Sequence, residues 1–258
     1  MSSGCLARIA DRGNPPGRPM FVPLHDQNPL RFIRFPWATR GIVVLNILVF
    51  LLYQRGGNAD AEAASVMAFG LIPSTLMGIH VRTPGIFHAP EWATFLTSSF
   101  LHGDIWHLAG NMLFLWVFGD NVEDAMGHWR FILFYILCAI GGGLAHVAVA
   151  PGSDMALIGA SGSVAGVIAA YFLLHPRVKI WILLLFRIPL RLRTVWVLGF
   201  WILLQIYNFL FGPPGEISWA AHLGGLVTGG VLILFMRRRG VPLMAREEPE
   251  LITAEPVV

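Results

Sequence analysis

Six apolar segments dictate where this chain can live before any motif is read. They lie at residues 38–54, 106–122, 129–150, 161–175, 195–211 and 218–236. A helix crossing a bilayer needs about 20 mostly apolar residues, and fewer where its ends sit inside protein. Only helices and closed barrels satisfy every backbone polar group in lipid, so runs of this length predict membrane helices. Composition agrees, with 55% of the 258 residues hydrophobic and 13% charged, against about 25% charged in soluble domains. The expected fold is an all-α membrane protein, a bundle of six transmembrane helices. One more apolar run, "IWILLLF" at 180–186, is too short to span and has basic neighbours at Lys179, Arg187, Arg191 and Arg193. It reads as an interfacial segment.

The basic residues set an orientation. Arg31, Arg34 and Arg40 precede or open the first segment, and Arg177, Lys179, Arg187, Arg191 and Arg193 lie between the fourth and fifth. Arg237, Arg238 and Arg239 follow the sixth. The alternate loops are poor in cations: 55–105 has Arg55 and Arg82 against Asp60, Glu62, Glu91 and Asp104, and 151–160 and 212–217 have none. The positive-inside rule then places both termini in the cytoplasm. The net charge of +3 reads as topology, so no nucleic-acid partner is expected.

The organisation expected is a cytoplasmic polar tail at 1–35, disordered before Met20, a membrane domain at 36–236 and a cytoplasmic C-terminal tail at 237–258. The first 35 residues have no apolar core followed by a cleavage site, so no signal peptide is read. Cys5 lies in the tail and Cys138 in an apolar segment, which argues against a disulfide framework or a thiolate metal site.

Parity brings distant polar residues to one face. Ser161 opens the fourth segment from outside, and His222 lies near the start of the sixth, two crossings later. His102, His107 and Asn111 lie at the outer end of the second. The fourth segment, closed by Pro176, is only about 21 Å long at 1.5 Å per residue, against a hydrocarbon core of about 30 Å. Ser161 is therefore expected below the outer surface, behind a loop that must lie inside protein or line a wet cavity.

Those residues suit acyl transfer. A serine hydroxyl attacks a carbonyl when a base removes its proton, and histidine is the usual base. Gly162 and Gly166 in one segment, with Gly225 and Gly229 in the other, form small-residue faces that let two membrane helices approach closely. Contact there would bring Ser161 towards His222. It would equally serve plain packing. His107 and Asn111, at i and i+4, share a helix face and can donate to an oxyanion, as can the Ser161 backbone N–H at a helix N-terminus. His102 and Ser163 could help to wet the site. A lone GASG at 159–162 is more often a turn, but an ionisable residue inside a membrane points to function. His25, His80, His88 and His128 read as loop residues, His146 as a cavity residue and His175 as a helix end.

Taken together, these residues resemble the rhomboid family of intramembrane serine proteases. "GASG" at 159–162 is similar to that family's GxSG nucleophile motif, and "AHLGGLVTG" at 221–229 to its AHxxGxxxG helix. "HLAGN" at 107–111 resembles its HxxxN oxyanion motif, and "FGDNVEDAMG" at 118–127 its GxxxExxxG segment. The resemblance covers residues 36–236. It implies a rhomboid-like bundle with a recessed, water-filled site and a Ser161–His222 dyad: Ser161 as nucleophile, His222 as general base. His107, Asn111 and the Ser161 N–H would hold the oxyanion, supported by Gly159, Gly162, Gly166, Gly225, Gly229 and His102. Substrates would be transmembrane proteins cut in or near a membrane helix at small residues, without cofactor or metal, in a bacterial plasma (inner) membrane.

Two positions depart from the family pattern. Some members carry Trp-Arg in the first outer loop, where this chain has Trp92 and Ala93. Some carry an aromatic four residues after the serine, stacked on the histidine, where this chain has Ala165. The family's start often looks like "MFVPLHDQNP", which begins here at Met20, so residues 1–19 read as a disordered extension or a product of start-site choice. Two rivals remain at this point. One is a catalytically inactive rhomboid-like protein that binds transmembrane helices. The other is a haem or metal protein using His102, His107 and His222, although no carboxylate is placed to orient such ligands.

Overall fold

The structure, a computed structural model, describes residues 21–26, 28–82, 87–184, 187–212 and 218–244. In chain order its elements are β1 (Phe21–Asp26), α1 (Trp37–Leu48), α2 (Ala59–Phe69), α3 (Ile105–Met126), α4 (His128–Val149), α5 (Ser161–Leu174), β2 (Lys179–Leu184), β3 (Ile188–Arg193), α6 (Thr194–Phe211) and α7 (Trp219–Met236). A π-helical turn at Val49–Tyr53 continues α1, and one-turn helices at Pro73–Leu76 and Thr94–Thr97 punctuate the segment before α3. Cys5, the tail before Met20 and most of the C-terminal tail lie outside the described residues.

Each of the six apolar segments is a helix. Among the described residues, α4, α6 and α7 are long and apolar enough to cross a membrane, while α5 and α1 with its π turn are shorter apolar helices. Along α6, Trp196, Phe200, Leu203, Leu210 and Phe211 point outward and stay exposed. An apolar face of that extent is stable against lipid rather than water, and the protein is an integral membrane protein.

At the centre of the bundle stands α5, with eleven of its 14 residues buried. A helix apolar on all sides belongs inside others, and α3, α4 and α7 surround this one. It packs on α7 backbone to backbone. A Cβ on Gly225 would run into the carbonyl oxygen of Gly162, and one on Gly229 into the backbone of Gly166. The small-residue faces read from the sequence therefore meet each other. The helix ends at His175, before Pro176.

The all-α expectation needs one correction. β1, β2 and β3 form an antiparallel sheet in that order, with Phe21 opposite Leu184 and Lys179 opposite Arg193. The run read as interfacial is strand β2, with Ile180 and Ile182 buried in the core. Its side chains alternate in burial at the period of a strand. Its hydrogen-bond partners come from β1, far away in sequence, and from β3, so the run by itself carried no sign of pairing. His25, read as a loop residue, lies in β1 opposite Trp181.

The C-terminal end of α3 ties this sheet and α1 to the bundle. Asp124 accepts hydrogen bonds from the backbone N–H groups of Arg31 at 2.9 Å, Phe32 at 2.7 Å and Ile33 at 2.7 Å. Glu123 accepts from the N–H groups of Ala38 at 3.1 Å and Thr39 at 2.7 Å, and from the Thr39 hydroxyl at 2.6 Å. It thus holds the N-terminus of α1, where a negative charge is favoured. Asp26 of β1 accepts from the Tyr171 hydroxyl at 2.6 Å and the Asn121 amide at 3.2 Å.

Candidate active site

At the other end of α3 and α5 three helix N-termini converge, and two of them are capped by side chains. Asp104 accepts from the N–H groups of Trp106 at 2.7 Å and His107 at 2.9 Å, which starts α3. Ser218 accepts from Ala221 N–H at 3.1 Å, which starts α7, and its hydroxyl is 2.7 Å from His146 Nδ1 of α4. The N-terminus of α5 is different. Its first residue is Ser161, the residue before it is Ala160, and no side chain caps it. The first N–H groups of a helix have no partner within the helix.

That loop is held by protein along its length. Leu71 and Leu157 exchange backbone hydrogen bonds at 3.2 and 2.8 Å, Ser74 N–H donates to Ser153 at 3.0 Å, and Gly159 N–H donates to Ser98 at 2.9 Å. Backbone at membrane depth is tolerated when it is satisfied in this way. Gly159 has φ +111, a conformation that side chains rarely adopt. A Cβ on it would lie 2.7 Å from the His107 ring and 3.8 Å from Asn111 Nδ2. Loop backbone, His107 and Asn111 thus lie against one another. One amide hydrogen of Asn111 goes to the His107 carbonyl at 3.1 Å, and an amide nitrogen has a second to give.

Ser161, Gly159, Ser98, Phe95, Gly142 and Ala221 line one small cavity. The Ala221 carbonyl lies 3.5 Å from where a Cβ on Gly162 would stand. Ser161 and His222 are the sequence neighbours of that touching pair, so the glycine contact draws the starts of α5 and α7 together beside both residues. His222 Nδ1 is 2.8 Å from Gln205 Oε1 on α6. The Trp201 ring stacks on the imidazole at 6.3 Å and 28°, and Trp219 meets it edge-on at 5.7 Å and 87°.

The remaining sequence candidates fall into place around this core. His102 is fully buried, with its ring 5.1 Å from that of His107. Its backbone is held by Gln54 at 3.0 Å on both sides, and among the described residues neither ring nitrogen has a hydrogen-bond partner. Gly166, Gly225 and Gly229 lie deeper and serve the α5–α7 contact. The Ser163 hydroxyl donates to the Tyr135 carbonyl at 2.9 Å. Where the Trp-Arg pair is missing, Arg82 bonds Glu91 at 2.7 Å and the carbonyls of Met67 and Gly70, which holds the outer segment. Gln205 and Trp201 were not anticipated. The signal available was an amide inside the apolar run "GFWILLQIY".

The chain is similar to known proteins of one family. The family model described as Rhomboid domain matches residues 89–239. The chain is 32% identical over 198 residues to Rhomboid protease GluP of Bacillus subtilis, covering 75% of this chain and 34% of that protein. It is 30% identical over 179 residues to the mitochondrial Rhomboid protein 1 of Saccharomyces cerevisiae, covering 60% of this chain and 50% of the relative. Rhomboid-related protein 1 of Caenorhabditis elegans is 33% identical over 203 residues, 75% of this chain and 54% of its own length. The chain thus spans about a third to a half of the length of these curated relatives.

Proposed function

The chain belongs to the rhomboid family, and from that premise we propose that it is an intramembrane serine endopeptidase. It hydrolyses peptide bonds in or near transmembrane segments of other membrane proteins through a Ser161–His222 dyad. The observation that carries this reading is that Ser161 lines a small cavity with Gly159 and Ala221, while Gly159 packs against the His107 ring and Asn111 and Ala221 directly precedes His222.

His222 Nε2 takes the Ser161 proton as Oγ forms a bond to the substrate carbonyl carbon. The carbonyl oxygen becomes an oxyanion beside the His107 ring, the second Asn111 amide hydrogen and the first N–H of α5. The proton then passes to the leaving amine as the peptide bond breaks. Water, activated by the same imidazole, releases the acyl group and restores Ser161. The cavity walls at Gly142, Gly159 and Ala221 favour a small substrate side chain. A substrate helix must unwind locally, because a stable helix hides its carbonyls.

The topology proposed is six crossings with both termini cytoplasmic, which puts the uncapped start of α5 below the outer surface. The relatives include bacterial and mitochondrial proteins, so they do not favour a bacterial plasma membrane over an organellar one. The test is cleavage of a transmembrane reporter by purified protein. Ser161→Ala and His222→Ala should each abolish it while the protein stays folded. A folded Ser161→Ala protein that still cleaves would sink the reading. A wild-type protein that binds such helices and leaves them intact would favour the inactive alternative.

A further inference from the structure

Gln205 sits where an amide costs the most unless it is fully bonded. It is 3% exposed, on a helix whose other side chains mostly face outward. Burying an amide without hydrogen bonds is unfavourable, and both ends of this one are engaged. Its Nε2 donates to the Trp201 carbonyl at 3.2 Å. That bond orients the amide and turns Oε1 to His222 Nδ1 at 2.8 Å. An amide oxygen only accepts, so Nδ1 carries the hydrogen and Nε2 keeps its lone pair.

We infer that Gln205 is a positioning residue for His222, holding the imidazole with its basic nitrogen free to take the Ser161 proton. The inference rests on the proposed dyad. In Ser-His-Asp enzymes a buried carboxylate sets the tautomer. Inside a membrane a carboxylate is expensive, and a neutral amide supplies the same hydrogen-bond acceptor without a charge. Trp201 completes the support. It packs on the patch formed by Ala165, Ala169 and Leu226, so the small residue four positions after Ser161 makes room for a ring contributed by α6. The departure at Ala165 and the Trp201–Gln205 pair are therefore one solution to holding His222.

Gln205→Met keeps the side-chain length and removes the acceptor, whereas Gln205→Glu keeps an oxygen at the same reach. The Met variant should lose about 10²-fold in kcat, the low end of what a positioned base contributes, with KM and unfolding temperature unchanged. Fluorophosphonate labelling of Ser161 should slow by the same factor. Burial keeps the Glu variant's carboxyl protonated and neutral, and its carbonyl oxygen can still accept from Nδ1, so this variant should recover most of the lost kcat. Wild-type kcat in the Met variant overturns the inference, as does an equal loss in both variants. A second readout needs no variant at this position: the imidazole ¹⁵N spectrum of the unaltered protein, with His222 assigned by its loss in His222→Ala. The Nδ1–H tautomer is expected, and the Nε2–H tautomer overturns the inference. Ser161→Ala run alongside separates the two readings. If it cleaves, the proposed function fails; if it is inactive while Gln205→Met is fully active, only the role of Gln205 fails.

Discussion

The two ends of α3 and α5 treat polar groups in opposite ways. At the sheet end, every carboxylate described above has several donors: Asp124 takes three backbone N–H groups, and Glu123 takes two N–H groups and a hydroxyl. At the other end, α5 starts without a side-chain cap, and His102 is buried with both ring nitrogens unbonded among the described residues. A satisfied buried network stabilises and specifies a fold. Donors left without partners cost stability. One end of these helices therefore anchors the fold, and the other is where we propose that the chemistry takes place.

If that division is right, damage at the two ends should separate cleanly. His222→Ala should lose on the order of 10⁴-fold or more in kcat/KM, with the unfolding temperature unchanged in thermal scans. Glu123→Ala should do the reverse. It strands the buried donors of Ala38 and Thr39, and denaturant titration should show about 3–5 kcal/mol lost, with the turnover of the folded fraction retained. A Glu123 variant that folds as well as wild type would break the comparison at the sheet end. Asn111→Ala should reduce kcat by about 10²–10³-fold, as loss of one oxyanion donor does, without changing KM or stability.

A separate effect concerns pH. Burial, with Asp120 nearby, pushes the Asp26 carboxyl up to about 7, against the opposing hydrogen bond from Tyr171. The folded protein then holds a proton that the unfolded chain releases near pH 4. The stabilisation is fully present below that value and is lost as pH rises through about 7. Stability should fall across this window by at most about 1.4 kcal/mol per pH unit. Asp26→Asn should flatten that slope in denaturant titrations at several pH values.

Legibility in the sequence followed the same division. The six helices were readable because apolar runs of membrane length have few alternatives, and the observed ends fall close to the predicted ones. Ser161, His222, His107 and Asn111 could be expected on one face because parity and the glycine faces are one-dimensional signals. The sheet was not readable, because β2 finds its partners in β1 and β3 and an unpaired apolar run looks the same on paper. The acceptor role of Glu123 was hidden for a related reason, since it caps a helix from a different part of the chain. Gln205 gives no periodic signal in the sequence, because it is a single amide in an apolar run. Its meaning lies in the histidine on the neighbouring helix.

The central claim is that Ser161 is an activated nucleophile. Its most direct test is labelling of the purified protein with a fluorophosphonate in detergent, followed by mapping of the modified peptide. The label should fall on Ser161, vanish in Ser161→Ala and fall steeply in His222→Ala. Label on another serine, or equal labelling of the folded His222→Ala protein, would contradict it.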